Sequence, residues 1–462
     1  MRSLNFTLKS FLFLAMLSIL VTSCRRDEED IKVETQVADF DSQVPLEWMD
    51  LYLEIERYAA GYRPGPAPRS LGLMGLAVYE SCVAGMPNHN SLKNRFNGMN
   101  LPVVEVGAEY HWPAVVHGVY STMMPKFFPN ISADLSDKMS ALINRYNEEL
   151  SLEAGNDVFN RSLNYGRSVG DAMWDFSTKD PYGHDAYKDP FIGYDWQQNY
   201  TGPGDWVPTT PGPPQPMFPH WGKVKTFAIS ESMKLSRPPL PYSESPTSAF
   251  YAQALEVYAQ NTPSLSYEGK WIGEFWSDDL LNLTFSPGPR WVAIGSQIIR
   301  HEKSNLAIAV EAYAKVGMAL SDAAVACWHS KYYYNVERPE SYIQRVIDPT
   351  WDTNLDNPIN GDKGFTPPFP AYPSGHSTMG GAGAEALANM FGYSYAMTDK
   401  CHEHRTDFVG VPRSFGSLYE MAQENAWSRV PLGVHFEMDC TEGVRHGTVI
   451  AREVCRLPWR KN

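Results

Sequence analysis

The sequence predicts an all-α protein built of helical bundles and crossed by one long irregular segment rich in proline and aromatic residues. Apolar residues recur at helical spacing along most of the 462-residue chain, whereas period-two alternation is scarce. Prolines and tryptophans crowd into residues 180–245, where the helical period is lost. A composition of 43% hydrophobic and 20% charged residues supports one large domain or two modest ones with a substantial core.

The elements follow in order. Arg2 and Lys9 precede an apolar run from Phe11 to Val21, too short to cross a bilayer comfortably, so residues 1–23 read as a signal peptide. Val21-Thr22-Ser23-Cys24 resembles a bacterial lipobox, which makes Cys24 the expected lipidation site. The product is then an exported lipoprotein, periplasmic or at the cell surface, that touches the membrane only through this anchor. Residues 24–44 are polar and acidic, as in a flexible tether. Residues 45–179 form an N-terminal helical region, with helices expected at Leu46–Tyr62, Ser70–Ala84, Tyr110–Phe127, Ser132–Glu153 and Asp157–Phe176. Residues 180–245 carry Trp196, Trp206, Phe218 and Trp221, too much aromatic surface for disorder, and are expected to wrap across the bundles. Residues 246–462 complete a second bundle, with helices at Thr247–Ala259, Arg290–Glu302, Asn305–Tyr334, Ser374–Met390, Ser417–Ser428 and Asp439–Arg452.

A net charge of −14 with no basic run excludes the clustered cations that nucleic-acid binding needs. Of six cysteines, five remain once Cys24 is set apart, so the chain is no disulfide scaffold. One bridge, Cys401–Cys440, is expected from the exported location and the place of Cys440 beside His435 and Asp439. Cys401-His402-Glu403-His404 has the composition of a metal cluster, but such runs are more often exposed polar loops, and that is the expectation here.

Three clusters in the second bundle carry chemistry. Lys331 and Arg338 lie seven residues apart, a spacing that returns to one helix face, and Pro339 marks the expected helix stop. Pro373-Ser374-Gly375-His376 opens a helix of small residues, whose free N–H groups and dipole favour an anion, with His376 placed for proton transfer. Arg429 is followed by His435 and Asp439, an i, i+4 pair if helical, in which the carboxylate fixes the imidazole tautomer. Each cluster alone is weak; their order and spacing together define an oxyanion pocket.

The eight residues Lys331, Arg338, Ser374, Gly375, His376, Arg429, His435 and Asp439 resemble the signature shared by type-2 phosphatidic acid phosphatases, class A acid phosphatases and vanadium haloperoxidases. The stretch from Phe365 to His376 is similar to the chloroperoxidase branch of the last group. By that resemblance Trp328 and Phe369 line a halide pocket, Asp279 of Glu274–Asp279 pairs with Arg429, and Arg69–Glu80 matches an N-terminal helix that the short phosphatases lack. The resemblance implies one vanadate per chain, ligated by His435 and held by Lys331, Arg338, Arg429, Ser374 and Gly375. It further implies hydrogen peroxide and a halide, iodide or bromide, as substrates, His376 as general acid/base and Lys331 polarising the bound peroxide. The alternative within the same signature is a phosphatase with no cofactor, in which His435 attacks phosphorus to form a phosphohistidine, Asp439 orients it and His376 protonates the leaving group.

Overall fold

Fourteen α-helices, six short 3-10 helices and one pair of short antiparallel strands make up the regular structure of residues 35–209, 212–260 and 264–461, the residues described by the computed structural model. The first five helices are α1 (Gln43–Tyr58), α2 (Pro66–Cys82), α3 (Trp112–Phe127), α4 (Ala133–Ala154) and α5 (Asn156–Ser177). Among its described residues the wrap carries the single-turn α6 (Trp196–Asn199) and three 3-10 turns, Ala186–Lys188, Trp221–Lys223 and Glu231–Met233. Then come α7 (Ala249–Ala259), α8 (Tyr267–Phe275), α9 (Pro287–His301), α10 (Leu306–Tyr334), α11 (Pro339–Val346), α12 (Gly375–Phe391), α13 (Leu418–Trp427) and α14 (Glu437–Cys455). Strands β1 (Met397–Asp399) and β2 (Arg413–Phe415) pair antiparallel between α12 and α13. The starts follow from capping chemistry: the side chains of Ser132, Ser248, Ser266, Asn305, Ser374 and Ser417 each accept a bond from the first turn. Proline stands near the start of α2, α3, α9 and α11, where its missing N–H costs nothing.

Helix α10 is the axis. Nearly all of it is buried, with α2 on one side and α12 and α14 on the other. A Cβ on Gly317 would sit 2.5 Å from the Leu71 carbonyl oxygen, so α2 and α10 touch backbone to backbone. One continuous apolar core runs from Val37 to Trp459 and joins helices of both halves of the chain. A smaller core of Phe250, Tyr342, Trp351, Val430 and Phe436 packs beneath α7 and α11.

The proline-rich segment lies across the bundle as a wrap, with Trp206, Phe218 and Trp221 buried. Its backbone is tied down by a buried carboxylate: the N–H groups of Phe227, Ala228 and Ile229 donate to Asp322 of α10 at 2.7, 2.8 and 3.2 Å. Part of the expected tether is folded. Val37 is fully buried, the Leu306 N–H donates to the Phe40 carbonyl at 2.8 Å, and α1 has begun by Gln43, so residues 37–44 belong to the folded structure and not to a tether. The signal peptide and Cys24 lie outside the described residues. Among the described residues no helix is long and apolar enough to cross a membrane. Helices α8 and α11 and the strand pair were not expected, being too short for a periodic pattern to register.

Candidate active site

Four prolines dominate the segment 365–374, which runs without regular structure into α12. A proline has no N–H, so carbonyls in such a segment lack neighbouring donors and are free to accept from side chains. Two cations use them. Lys331 Nζ donates to the carbonyls of Pro370 and Ala371, both at 2.8 Å. Arg338 donates to those of Phe369 at 2.9 Å, Pro367 at 3.2 Å and Val434 at 2.7 Å. Both cations are fully buried. They converge, but not through a shared helix face. Helix α10 stops at Tyr334, with Asn335 in the left-handed conformation; Arg338 is the N-cap of α11, and Pro339 opens that helix instead of ending the previous one.

His435 and Asp439 also meet differently from the helical i, i+4 pair expected. His435 precedes α14, whose N-cap is Phe436, and Asp439 occupies the first turn. Its Oδ2 accepts from both His435 Nδ1 at 2.9 Å and the Phe436 N–H at 3.1 Å, so one carboxylate caps the helix and fixes the histidine. With Nδ1 donating to Asp439, Nε2 carries the lone pair and accepts from Arg338 Nη1 at 3.1 Å. Burial drives the His435 pKa well below its usual range, and Arg338, Lys331 and Arg429 lower it further. Its Nε2 is therefore an unprotonated donor atom at neutral pH, fit to ligate a metal oxyanion or attack phosphorus. The Ser374 N–H donates to the Asp439 carbonyl at 3.0 Å, which locks the start of α12 to that of α14.

Arg429 closes the ring of cations. Its Nη2 meets both oxygens of Asp279 at 3.0 and 2.8 Å, the pair implied by the family resemblance. Among the described residues its Nε and Nη1 are buried without a partner, as is His376 Nε2, which stands 3.8 Å from Asp279. Burial, then Arg429, pushes the His376 pKa down to about 4, so this imidazole is neutral and ready to accept a proton. Trp328 and Phe369 lie against each other, ring centroids 4.9 Å apart, and Phe369 covers Lys331 and Arg338 at 5.1 and 4.9 Å.

The sequence reading missed a layer behind this ring. Arg290 of α9, fully buried between the rings of Phe275 and Trp276, donates to the Phe275 carbonyl at 3.1 Å and to Asp399 at 2.8 Å. His402 Nε2 lies 2.6 Å from Arg290 Nη1, and Asp278, next to Asp279, faces both. The Cys401–His404 run is therefore no exposed loop throughout: His402 is 2% exposed, and only its end, Glu403 and His404, is open to solvent. The expected Cys401–Cys440 bridge is absent. Both thiols are free; Cys401 sits by Gln297 of α9 at the edge of the main core, while Cys440 belongs to the smaller one.

The donor set fits a tetrahedral oxyanion. Three buried cations, Lys331, Arg338 and Arg429, face two carboxylates, Asp279 and Asp439, which leaves positive charge and unused buried N–H groups around His435 Nε2. Burial lowers Lys331 from its usual value, and it pushes Arg338 down to about 9. An anion among them would offset that cost. His376, Arg429 and His435 line one cavity of about 680 Å³.

A buried cradle of this kind suits a tetrahedral oxyanion such as phosphate or vanadate. Residues 311–458 match the model of the VCPO second helical-bundle domain. The chain is similar to the vanadium chloroperoxidase of Curvularia inaequalis, at 26% identity over 87% of this chain and 80% of that protein. It is also similar in structure to the first bacterial vanadium-dependent iodoperoxidase, with a TM-score of 0.78 and 27% identity over 93% of this chain and 100% of that one. A bacterial vanadium-dependent chloroperoxidase in its apo form shares the fold at a TM-score of 0.58 and 14% identity, over 87% of this chain and 96% of that one. In sequence and in fold the chain is similar to vanadium haloperoxidases.

Proposed function

We propose that the protein binds one vanadate per chain and oxidises iodide or bromide with hydrogen peroxide to the hypohalous acid. The observation that carries this reading is the convergence of three buried cations on a His435 Nε2 kept free of its proton by Asp439. His435 would be the protein ligand, with Lys331, Arg338, Arg429, Ser374 and the Gly375 N–H around the oxygens. Bound there, vanadium in its highest oxidation state acts as a Lewis acid that activates peroxide, without a redox cycle of its own. The chain supplies the rest. Asp439 holds the histidine tautomer, and the fixed cations stabilise developing charge without reorganising. His376 Nε2, neutral and unpartnered, takes and returns the peroxide proton. Lys331, held by the Pro370 and Ala371 carbonyls, would stabilise negative charge developing in the cradle, and Trp328 with Phe369 would offer an apolar wall for a weakly hydrated halide. A relative described as an iodoperoxidase supports iodide first. The sequence pattern at Cys24 supports an exported, lipid-anchored protein, periplasmic or at the cell surface.

The test uses protein stripped of phosphate and reloaded with orthovanadate. It should oxidise iodide with hydrogen peroxide, and phosphate should compete with reloading. Loaded protein that leaves iodide and bromide untouched, alongside unloaded protein that cleaves aryl phosphates efficiently, would replace this reading with the phosphohistidine phosphatase.

A further inference from the structure

Arg429 keeps Nη2 on Asp279 and has Nε and Nη1 to offer an oxyanion, so the direction of those two N–H groups depends on where Asp279 stands. Asp279 lies four residues past the end of α8 at Phe275, in a turn where the Ser277 N–H donates to the Glu274 carbonyl at 3.2 Å and the Asp278 N–H to that of Trp276 at 2.9 Å. A connecting turn holds its place only as well as it is tied from outside. The tie here is Arg290 of α9. Its Nη1 donates to the Phe275 carbonyl at 3.1 Å and faces Asp278 Oδ1 at 3.5 Å, one residue before Asp279. Its far side is anchored: Nη2 donates to Asp399 at 2.8 Å, and Nη1 also stands 2.6 Å from His402 Nε2. Asp399 is itself fixed by the Gln297 side chain and the Cys401 N–H, both at 2.9 Å. Burial works against the charge on Arg290, but Asp399 and Asp278 outweigh it and raise the pKa, so the residue is a permanent cation. A cation needed only to balance Asp399 would not have to reach the Phe275 carbonyl and Asp278 as well. Those two contacts fall on the turn that carries Asp279.

We propose that Arg290, aimed by Asp399 and His402, is a positioning residue for the oxyanion cradle: it fixes the turn from Phe275 to Asp279 and, through Asp279, the direction in which Arg429 presents Nε and Nη1. The proposal rests on the reading of the cradle as an oxyanion site and not on the reaction performed there. Arg290 is fully buried and lies outside the lining of the cavity, so it reaches the oxyanion only through this relay. Removing a group that orients a ligand-holding residue lowers affinity by about 10- to 100-fold.

The test is equilibrium dialysis of orthovanadate against the full chain stripped of phosphate, with neither peroxide nor halide present. Arg290→Met keeps much of the buried volume and loses every directed N–H group, and it should weaken orthovanadate binding about 10- to 100-fold. Loosened packing alone could also weaken binding, so the decisive measurement is a double-mutant cycle with Asp279→Asn, which keeps one acceptor oxygen for Arg429. If Arg290 acts through Asp279, Arg290→Met should cost less than about threefold more in the Asp279→Asn background. A loss as large there as in the wild-type background overturns the proposal, and so does wild-type affinity in Arg290→Met alone. Should circular dichroism show Arg290→Met unfolded, Asp399→Asn takes its place in the same cycle, leaving Arg290 present without its anchor, and the same two results decide. Wild-type protein that binds neither orthovanadate nor inorganic phosphate overturns the reading of the cradle itself, whatever the variants do.

Discussion

Gly447→Ala tests whether the cradle depends on the contact between α12 and α14. A Cβ at Gly447 would lie 1.9 Å from the Thr378 carbonyl oxygen and 2.9 Å from the Ala382 nitrogen, both backbone atoms of α12. Relief to 3.0 Å, below which such contacts essentially never occur, needs 3.0 − 1.9 = 1.1 Å of movement between two buried helices. Those helices carry the two halves of the site: Ser374 and His376 start α12, while His435 and Asp439 sit at the start of α14. Overpacking of this kind costs about 1–3 kcal/mol, and misplacing catalytic groups by about 1 Å costs on the order of 100-fold in rate. The variant should keep its helical circular dichroism, melt several degrees lower and lose about 100-fold in vanadate-dependent iodide oxidation. Gly295→Ala is the control. Its Cβ would meet only the flexible end of Leu387 at 3.2 Å, and both measurements should stay near wild type. Wild-type melting and activity in Gly447→Ala would refute the claim that the site is set by this helix contact.

Three further outcomes are expected. His435→Ala should abolish tight vanadate binding while the fold survives, and metal analysis showing unchanged vanadium per chain would remove His435 as the ligand. His376→Ala should retain vanadate yet lose about 100- to 10,000-fold in turnover; a rate within a few-fold of wild type would take His376 out of the mechanism. Burial raises the Glu311 carboxyl, but His89, Lys315 and Arg460 outweigh it and hold the pKa at about 2. This depressed value gives stability that is complete above the ordinary carboxyl value of 4.5 and is lost as pH falls towards 2, about 3 kcal/mol in all. The gap in melting temperature between wild type and Glu311→Gln should therefore narrow below about pH 4.5, and a constant gap would contradict that assignment.

What was legible in the sequence depended on how local its signal was. Helices such as α4, α10 and α12 announce themselves by period and by a capping residue within one turn, and α5 by period alone; the structure places them within a few residues of expectation. The cradle residues were legible for a related reason: each cluster is a short string with fixed spacing. The geometry within two of those strings was not. An N-cap at Phe436 and a left-handed Asn335 change how His435 meets Asp439 and how Lys331 meets Arg338, yet neither leaves a trace in a count of residues.

Long-range partners were invisible except through resemblance. Asp279 and Arg429 are 150 residues apart and were paired only because the family pattern pairs them; Arg290 and His402, 112 residues apart, had no such guide. This explains why the Cys401–His404 run was misread. A histidine that accepts from a buried arginine and one that points into solvent have the same composition and the same neighbours in sequence. The difference lies in Phe275, Phe285 and Phe408, whose rings surround His402 from three separate stretches of chain. Arg290 in turn grips the Phe275 carbonyl, three residues before Asp278 and four before the Asp279 that binds Arg429. The cation that closes the cradle is thus oriented by a carboxylate whose own backbone is pinned by a second buried cation. A site of this kind is specified twice: by short motifs that bring the reacting groups, and by distant buried charges that hold the chain carrying them.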